Sequence, residues 1–241
     1  MPGAPDPVVP GLPAVRPARI AVALDDAFAF YYEDNLRELR RAGADLVWCS
    51  PLTDASLPAC DGLYLGGGYP ELHAERLSTN TSFRDSVADA AVGGLPIYAE
   101  CGGLLYLAED LEDLDGHTRP MAGVVPARVR LHKRLQDMGY REARLASDCL
   151  LGPAGESVRG HEFHYSSCTI DYRRGGGPAY TLLDDDGQER LDGYADGSLF
   201  ASYVHLHFSG CRPVVRRWLD ACRRRSHDDR SSAVLTQERT A

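Results

Sequence analysis

The stretch Pro96-Ile97-Tyr98-Ala99-Glu100-Cys101-Gly102-Gly103-Leu104-Leu105-Tyr106-Leu107 constrains this chain more than any other. Pro96 to Ala99 is a brief apolar run of strand length. Gly102 and Gly103 permit a sharp turn and close backbone approach, and Leu104, Leu105 and Leu107 begin a buried helical face. A cysteine at such a strand-to-helix turn sits where unpaired N–H groups and the helix dipole favour the thiolate. The N–H that follows it can help hold an oxyanion. This is the geometry of a nucleophile elbow, with sulfur in place of oxygen. The alternative is an inert cysteine of the core.

The pattern on either side alternates. Residues 19–24, 45–49 and 61–65 read as strands. Residues 35–42, 71–77 and 82–92 read as helices, with Gly43 and Gly93-Gly94 as stops. Strands alternating with helices predict an α/β fold built on a mainly parallel open sheet with helices on both faces. After about residue 115 the style changes. Residues 124–130, 139–146, 157–168 and 179–183 read as strands between Gly- and Pro-rich turns, an antiparallel extension of the same domain. Residues 198–204 form another strand that runs into His205-Leu206-His207-Phe208. Residues 211–224 form a terminal helix with Val214, Val215, Trp218, Leu219 and Cys222 at helical spacing. The expected organisation is a Pro-rich arm or linker over 1–17, one domain over 18–225 and a polar, disordered tail over 226–241.

Composition excludes several classes. The 26 basic and 35 acidic residues give a net charge of −9, which argues against a nucleic-acid-binding surface. No apolar run approaches the ~20 residues that span a bilayer, and no basic segment with an apolar core opens the chain, so neither membrane nor secretion is expected. The seven cysteines are scattered, odd in number and without a CxxC. That fits a reduced, cytoplasmic chain better than a disulfide framework or a zinc site. The sole lysine is Lys133, and it follows no glycine. A GxxxxGK[ST] phosphate loop is therefore absent, and with it a P-loop ATP site.

Three features fall at the carboxyl ends of strands, where an open α/β sheet places its chemistry: Gly66-Gly67-Gly68, Cys101 and His205. A thiol attacking a carboxamide needs a base, usually histidine, and donors for the tetrahedral oxyanion. Backbone N–H groups of Gly67, Gly68 and Gly102 are the candidate donors. A plain strand-to-helix turn is the alternative for the triple glycine. Alternation puts His205 and His207 on one face of a strand, and puts His161 and His164 of Gly160-His161-Glu162-Phe163-His164-Tyr165 on opposite faces unless a bulge intervenes. No histidine spacing matches a metal pattern, so no metal is expected. A cysteine peptidase or hydrolase on a similar scaffold and a non-catalytic partner domain are the competing readings.

Phe28-Ala29-Phe30-Tyr31-Tyr32 with Asn35-Leu36, Leu65-Gly66-Gly67-Gly68-Tyr69-Pro70-Glu71-Leu72, Tyr98 to Leu104, Gly160 to Ser166, and Tyr203-Val204-His205-Leu206-His207-Phe208 occur in this order. Together they resemble the glutaminase domains of the cobyrinate (hydrogenobyrinate) a,c-diamide synthase family, a branch of the class I glutamine amidotransferase-like, flavodoxin-like group. The resemblance spans roughly residues 18–222. It implies that Cys101 attacks the side-chain amide of L-glutamine, that His205 is its base, and that N–H groups near Gly68 and Gly102 hold the oxyanion. It implies ATP and Mg²⁺ at a separate synthetase domain or subunit, which would use the ammonia to amidate the a- and c-acetate carboxylates of a corrinoid in cobalamin biosynthesis. No cofactor is expected within this chain. A sirohydrochlorin-type macrocycle is an alternative substrate. Glu100, His161, His164 and His207 are accessory candidates. Most class I glutaminases carry a glutamate two residues after the histidine, where this chain has His207. The third member of a triad is therefore open, and His207→Glu is expected to speed a weak glutaminase.

Overall fold

A six-stranded sheet lies at the centre of the molecule, its four inner strands apolar and largely buried on both sides. The computed structural model describes residues 16–183 and 187–238, without the side chains of 226–238. Strand β1 (Ala18–Ala23) sends Ala18, Ile20 and Val22 to one core cluster and Ala21 and Ala23 to the other, as a central parallel strand must. Helix α1 (Glu33–Arg41) has Glu33 and Asp34 in its first turn and Arg40 and Arg41 in its last, complementing its dipole. Next come β2 (Ala44–Cys49), β3 (Gly62–Leu65), α2 (Ala74–Thr79), α3 (Thr81–Val92), β4 (Ile97–Glu100) and α4 (Gly102–Leu107). Small strands follow: β5 (Asp110–Glu112), β6 (Thr118–Pro120), β7 (Ala127–Leu131), β8 (Asp137–Leu145), β9 (Ser157–His164), β10 (Ser166–Ile170), β11 (Tyr180–Leu183) and β12 (Glu189–Asp192). The chain then returns to the centre with β13 (Tyr194–Asp196), β14 (Leu199–Ser202), β15 (His205–Leu206) and α5 (Arg212–Glu238).

The central sheet has the order β13-β14-β4-β3-β1-β2. All of its pairs are parallel except β13 with β14. It is the mainly parallel open sheet that the alternation predicts. One face packs Phe28, Phe83, Leu104 and Tyr106. The other packs Tyr64, Tyr98, Phe200 and Trp218. The extension forms two further sheets. β12-β11-β8-β9-β15 is antiparallel throughout, whereas β10-β7-β5-β6 contains one parallel pair, β5 with β7.

Several boundaries differ from expectation, among them the strand expected over 124–130, which begins at Ala127. Residues 70–73 form a 3₁₀ turn before α2 rather than the start of one helix, because Pro70 sits at its first position. The strand expected over 157–168 is cut at Tyr165 into β9 and β10, which join different sheets. The strand expected over 198–204 ends at Ser202, whose side chain accepts the Val204 N–H (2.8 Å). Helix α5 continues through 226–238, the stretch expected to be disordered. No glycine or proline follows Pro213 to stop it. Residues 1–15 of the expected arm and 239–241 of the expected tail lie outside the described residues. No described helix is long and apolar enough to cross a membrane.

Candidate active site

The end of β4 turns so sharply that Cys101 adopts φ +47° and ψ −101°. Among the described residues it is the only one other than glycine at positive φ. Such a conformation costs on the order of 1–3 kcal/mol and persists only when its surroundings over-determine it. Here they do. The Cys101 N–H donates to the Ser202 carbonyl (2.7 Å), the Gly103 N–H to the Gly66 carbonyl (3.0 Å), and the Leu105 N–H to the Cys101 carbonyl (3.1 Å). The glycines are obligatory for close approach. A Cβ on Gly103 would stand 2.4 Å from the Leu65 carbonyl oxygen. One on Gly102 would stand 3.1 Å from the Gly68 nitrogen, so the Gly102 and Gly68 backbones meet beside the thiol.

A cavity of about 320 Å³ opens above this turn, lined by Cys101, His205, Gly68, His161, Phe163 and Phe30 among others. β15 places His205 opposite His161 of β9. Phe30 meets the His205 ring edge-on, with centroids 5.1 Å apart. Gly67 makes room for that ring: its Cβ would lie 2.5 Å from His205 Cε1. The Gly67 N–H is already given to the Phe30 carbonyl (3.2 Å), whereas Gly68 makes no backbone hydrogen bond among the described residues. The structure thus brings together Cys101, His205, Gly68, Gly102 and His161, with Gly67 as the spacer behind the imidazole.

Electrostatics set the resting state. Burial pushes the Cys101 thiol up to about 12, with the nearby Glu71 carboxylate adding to the effect and the Gly102 N–H opposing it. Burial, with His161 and His164 next, brings His205 down to about 4, against the pull of Glu162. The helix-terminus argument for a thiolate is therefore outweighed by desolvation, and the pair rests as thiol and neutral imidazole. The thiol donates toward the Phe163 carbonyl, 3.8 Å away. Such a couple can pass a proton from sulfur to nitrogen once an electrophile is in place, and can form and break a thioester.

Residues 19–213 match the CobB/CobQ-like glutamine amidotransferase domain. The chain belongs to this family. It is 44% identical over 237 residues to a cobyrinate a,c-diamide synthase of Syntrophotalea carbinolica, covering 90% of this chain and 49% of that protein. It is likewise 44% identical over 210 residues to a cobyrinate a,c-diamide synthase of Salmonella typhimurium, covering 85% and 45%. The chain thus spans about half the length of the curated relatives it matches. A crystal structure of a glutamine amidotransferase shares the fold, with a TM-score of 0.58 at 18% identity over 84% of this chain and 98% of that one.

Two residues that sequence reasoning left without a role gain one on the amidotransferase scaffold. Alternation along β9 holds without a bulge: His161 and Phe163 line the cavity, while Glu162 and His164 point the other way. Glu162 is fully buried and accepts from Arg141 Nε (2.8 Å) and from Arg190. Asp137 binds the same two guanidiniums. Burial raises the Glu162 carboxyl, but His164 and Arg190 outweigh it and bring it down to about 2. His164 stacks on Tyr203 (3.8 Å, 14°) and donates from Nδ1 to the Ser166 carbonyl (2.8 Å). Asp137, Glu162 and His164 offer three ligand atoms within 4.8 Å of one another, yet two arginines already neutralise the carboxylates. This network buttresses β8 and β9 behind the cavity.

The remaining candidates separate. β15 ends at Leu206, so strand alternation does not carry on to His207. Its side chain is 47% exposed, 3.7 Å from Asp34 Oδ2 and bonded to the Ser209 hydroxyl (2.7 Å). A glutamate at 207 would stand close to the Asp34 carboxylate. Glu100, by contrast, lies buried beneath His205, with Oε2 3.9 Å from Nδ1. Sequence reasoning missed Glu71, whose buried Oε2 has no hydrogen-bond partner among the described residues, and Asp192, pushed up to about 6 by burial first and then by Glu162. Glu71 stands within the Gly-Gly-Gly-Tyr-Pro-Glu-Leu motif, which was the available signal.

Proposed function

We propose that this chain is the glutaminase part of a tetrapyrrole-amidating synthase, acting in the cytoplasm. The observation that carries the reading is the convergence of a strained Cys101, His205 and the free Gly68 N–H on one cavity. Cys101 Sγ attacks the carboxamide carbon of L-glutamine while its proton passes to His205. The resulting oxyanion lies against the N–H groups of Gly68 and Gly102. Collapse breaks the C–N bond, and the leaving nitrogen takes the proton from His205 to depart as ammonia. Water, deprotonated by the same imidazole, then attacks the thioester carbonyl, giving glutamate and the free thiol. The sum is glutamine plus water to glutamate plus ammonia.

The names of the curated relatives, and the fact that this chain matches only about half of their length, support the rest. An ATP- and Mg²⁺-dependent synthetase domain or subunit would activate the a- and c-acetate carboxylates of a corrinoid, and the ammonia would attack them. The parked Cys101 thiol, bonded to the Phe163 carbonyl rather than to His205, fits a glutaminase that is slow until a partner or glutamine rearranges the site. Ammonia release by the chain alone, and with the synthetase half of a cobyrinate a,c-diamide synthase, ATP and cobyrinic acid, tests this. A several-fold rise with amidated corrinoid in the mass spectrum is expected. An unchanged rate and no amidated product would contradict it.

A further inference from the structure

Among the described residues, Glu100 is the one carboxylate at ion-pair distance from a His205 ring nitrogen. Its Oε2 stands 3.9 Å from Nδ1, and both side chains are buried. The register of the central sheet fixes this placement. Glu100 is the last residue of β4 and pairs with Ser202 of β14, three residues before His205. The carboxylate is held by three donors from three elements: the Tyr64 hydroxyl of β3 (2.8 Å), the Tyr98 hydroxyl of β4 (2.5 Å) and the Leu206 N–H of β15 (2.9 Å). The Leu206 bond ties the residue after the histidine to the carboxylate. Tyr64 and Tyr98 are themselves locked against Trp218 and Phe208. An apolar side chain here would orphan three buried donors, and the same three bonds fix Glu100 Oε2 beside the imidazole nitrogen.

We propose that Glu100 is the positioning residue of the catalytic histidine: it keeps the proton of His205 on Nδ1 and stabilises the imidazolium that forms when Nε2 takes the thiol proton. This rests on the Cys101–His205 reading above. It assigns the third place of the triad to the residue immediately before the nucleophile, on the strand, rather than to the position two residues after the histidine. The tautomer logic is that of any base oriented by a carboxylate: Nδ1–H toward the carboxylate leaves the Nε2 lone pair for sulfur. The 3.9 Å gap closes to hydrogen-bond length with a small ring tilt as charge develops.

The placement makes activity pH-dependent in a defined sense. Burial raises the Glu100 carboxyl to about 7, against the bonds from Tyr98, Leu206 and Tyr64. The titratable groups that sense its charge are Tyr31, Tyr32, Tyr64, Tyr98, Tyr180, Cys101 and Cys211, and the His205 ring faces it at 3.9 Å. Burial raises every one of those tyrosines and cysteines, so none of them ionises near neutrality. The carboxylate form is the one that stabilises an imidazolium, so kcat rises as pH rises through about 7.

The experiment is steady-state glutaminase kinetics across pH for the wild-type chain, Glu100→Gln, Glu100→Asp and Tyr98→Phe, with melting temperatures and Cys101→Ala as the baseline. Glu100→Gln is expected to lower kcat on the order of 10²–10⁴-fold with little change in KM, and to lose the rise near pH 7. Glu100→Asp recovers part of the rate. Tyr98→Phe keeps the charge but removes a donor, so the rise moves to higher pH. A Glu100→Gln enzyme that keeps the wild-type kcat and pH profile overturns the proposal. So does a Tyr98→Phe profile that does not move. If the wild-type chain shows no turnover above the Cys101→Ala baseline, either alone or with the synthetase half, ATP and cobyrinic acid, the glutaminase reading itself fails and this inference falls with it. Wild-type turnover with indifference to Glu100 sinks the inference alone.

Discussion

Cys101→Ala is expected to remove glutamine-dependent ammonia release by more than about 10⁴-fold, as loss of the nucleophile does in acyl-transfer enzymes. No other cysteine lines the cavity among the described residues, so no neighbouring thiol can substitute. Cys101→Ser is expected to be nearly as inactive. His205, held at about 4 chiefly by burial, is a weak base, and a serine hydroxyl is far harder to deprotonate than a thiol. The fold survives both changes, since the Ser202, Gly66 and Leu105 backbone bonds that hold the turn do not involve the sulfur. Ammonia assays beside melting curves separate the two effects. Residual activity above a few per cent in a well-folded Cys101→Ala protein would remove the thioester from the mechanism.

The largest expected loss of stability follows Glu162→Gln. Glu162 is 0% exposed and Arg141 only 8%, and they are joined by a 2.8 Å bond. Neutralising the glutamate removes one of the two carboxylates that balance the buried Arg141, leaving only Asp137, at a cost of about 1–3 kcal/mol. Arg190 is 36% exposed and adds less, because water screens it. The pH dependence has a defined sign. The folded carboxyl is depressed from the ordinary 4.5 to about 2. Its contribution is therefore full above about 4.5 and is lost as pH falls toward 2. Urea midpoints of wild type and Glu162→Gln should differ widely at pH 7 and converge through that window. Equal midpoints at pH 7 would mean that the network does not brace the sheet. Because β9 carries His161 and Phe163 and pairs with His205, the variant is also expected to lose glutaminase activity before it unfolds.

Much of this was legible in the sequence because local signals and the global fold agree. The run 96–107 announced a strand, a turn and a helix, and the positive φ of Cys101 is what that turn required. The alternation of 19–92 pointed to the parallel sheet: β1 and β3 are largely buried on both faces, and only the edge strand β2 is half open to solvent. What was not legible depends on contacts distant in sequence. Tyr165 separates two strands of different sheets, and no composition signal marks it. His207 looked coplanar with His205 because strand alternation was extended one step too far; the backbone leaves β15 after Leu206. Glu100 was named only as an accessory, because its distance from His205 arises from the pairing of β4 with β14 and not from spacing along the chain. The thiol's resting state ran against the helix-terminus argument, because a six-residue helix offers a weak field against the desolvation of a buried thiol. The Arg141–Glu162–Arg190–Asp137 network is invisible without the β8–β9 register.

The most direct test is to treat the chain with an electrophilic glutamine analogue, 6-diazo-5-oxo-L-norleucine, and to map adducts over all seven cysteines by peptide mass spectrometry. The account predicts one adduct, on Cys101, that glutamine blocks and that His205→Ala suppresses. An unlabelled Cys101, or labelling spread over other cysteines and indifferent to glutamine, would contradict it.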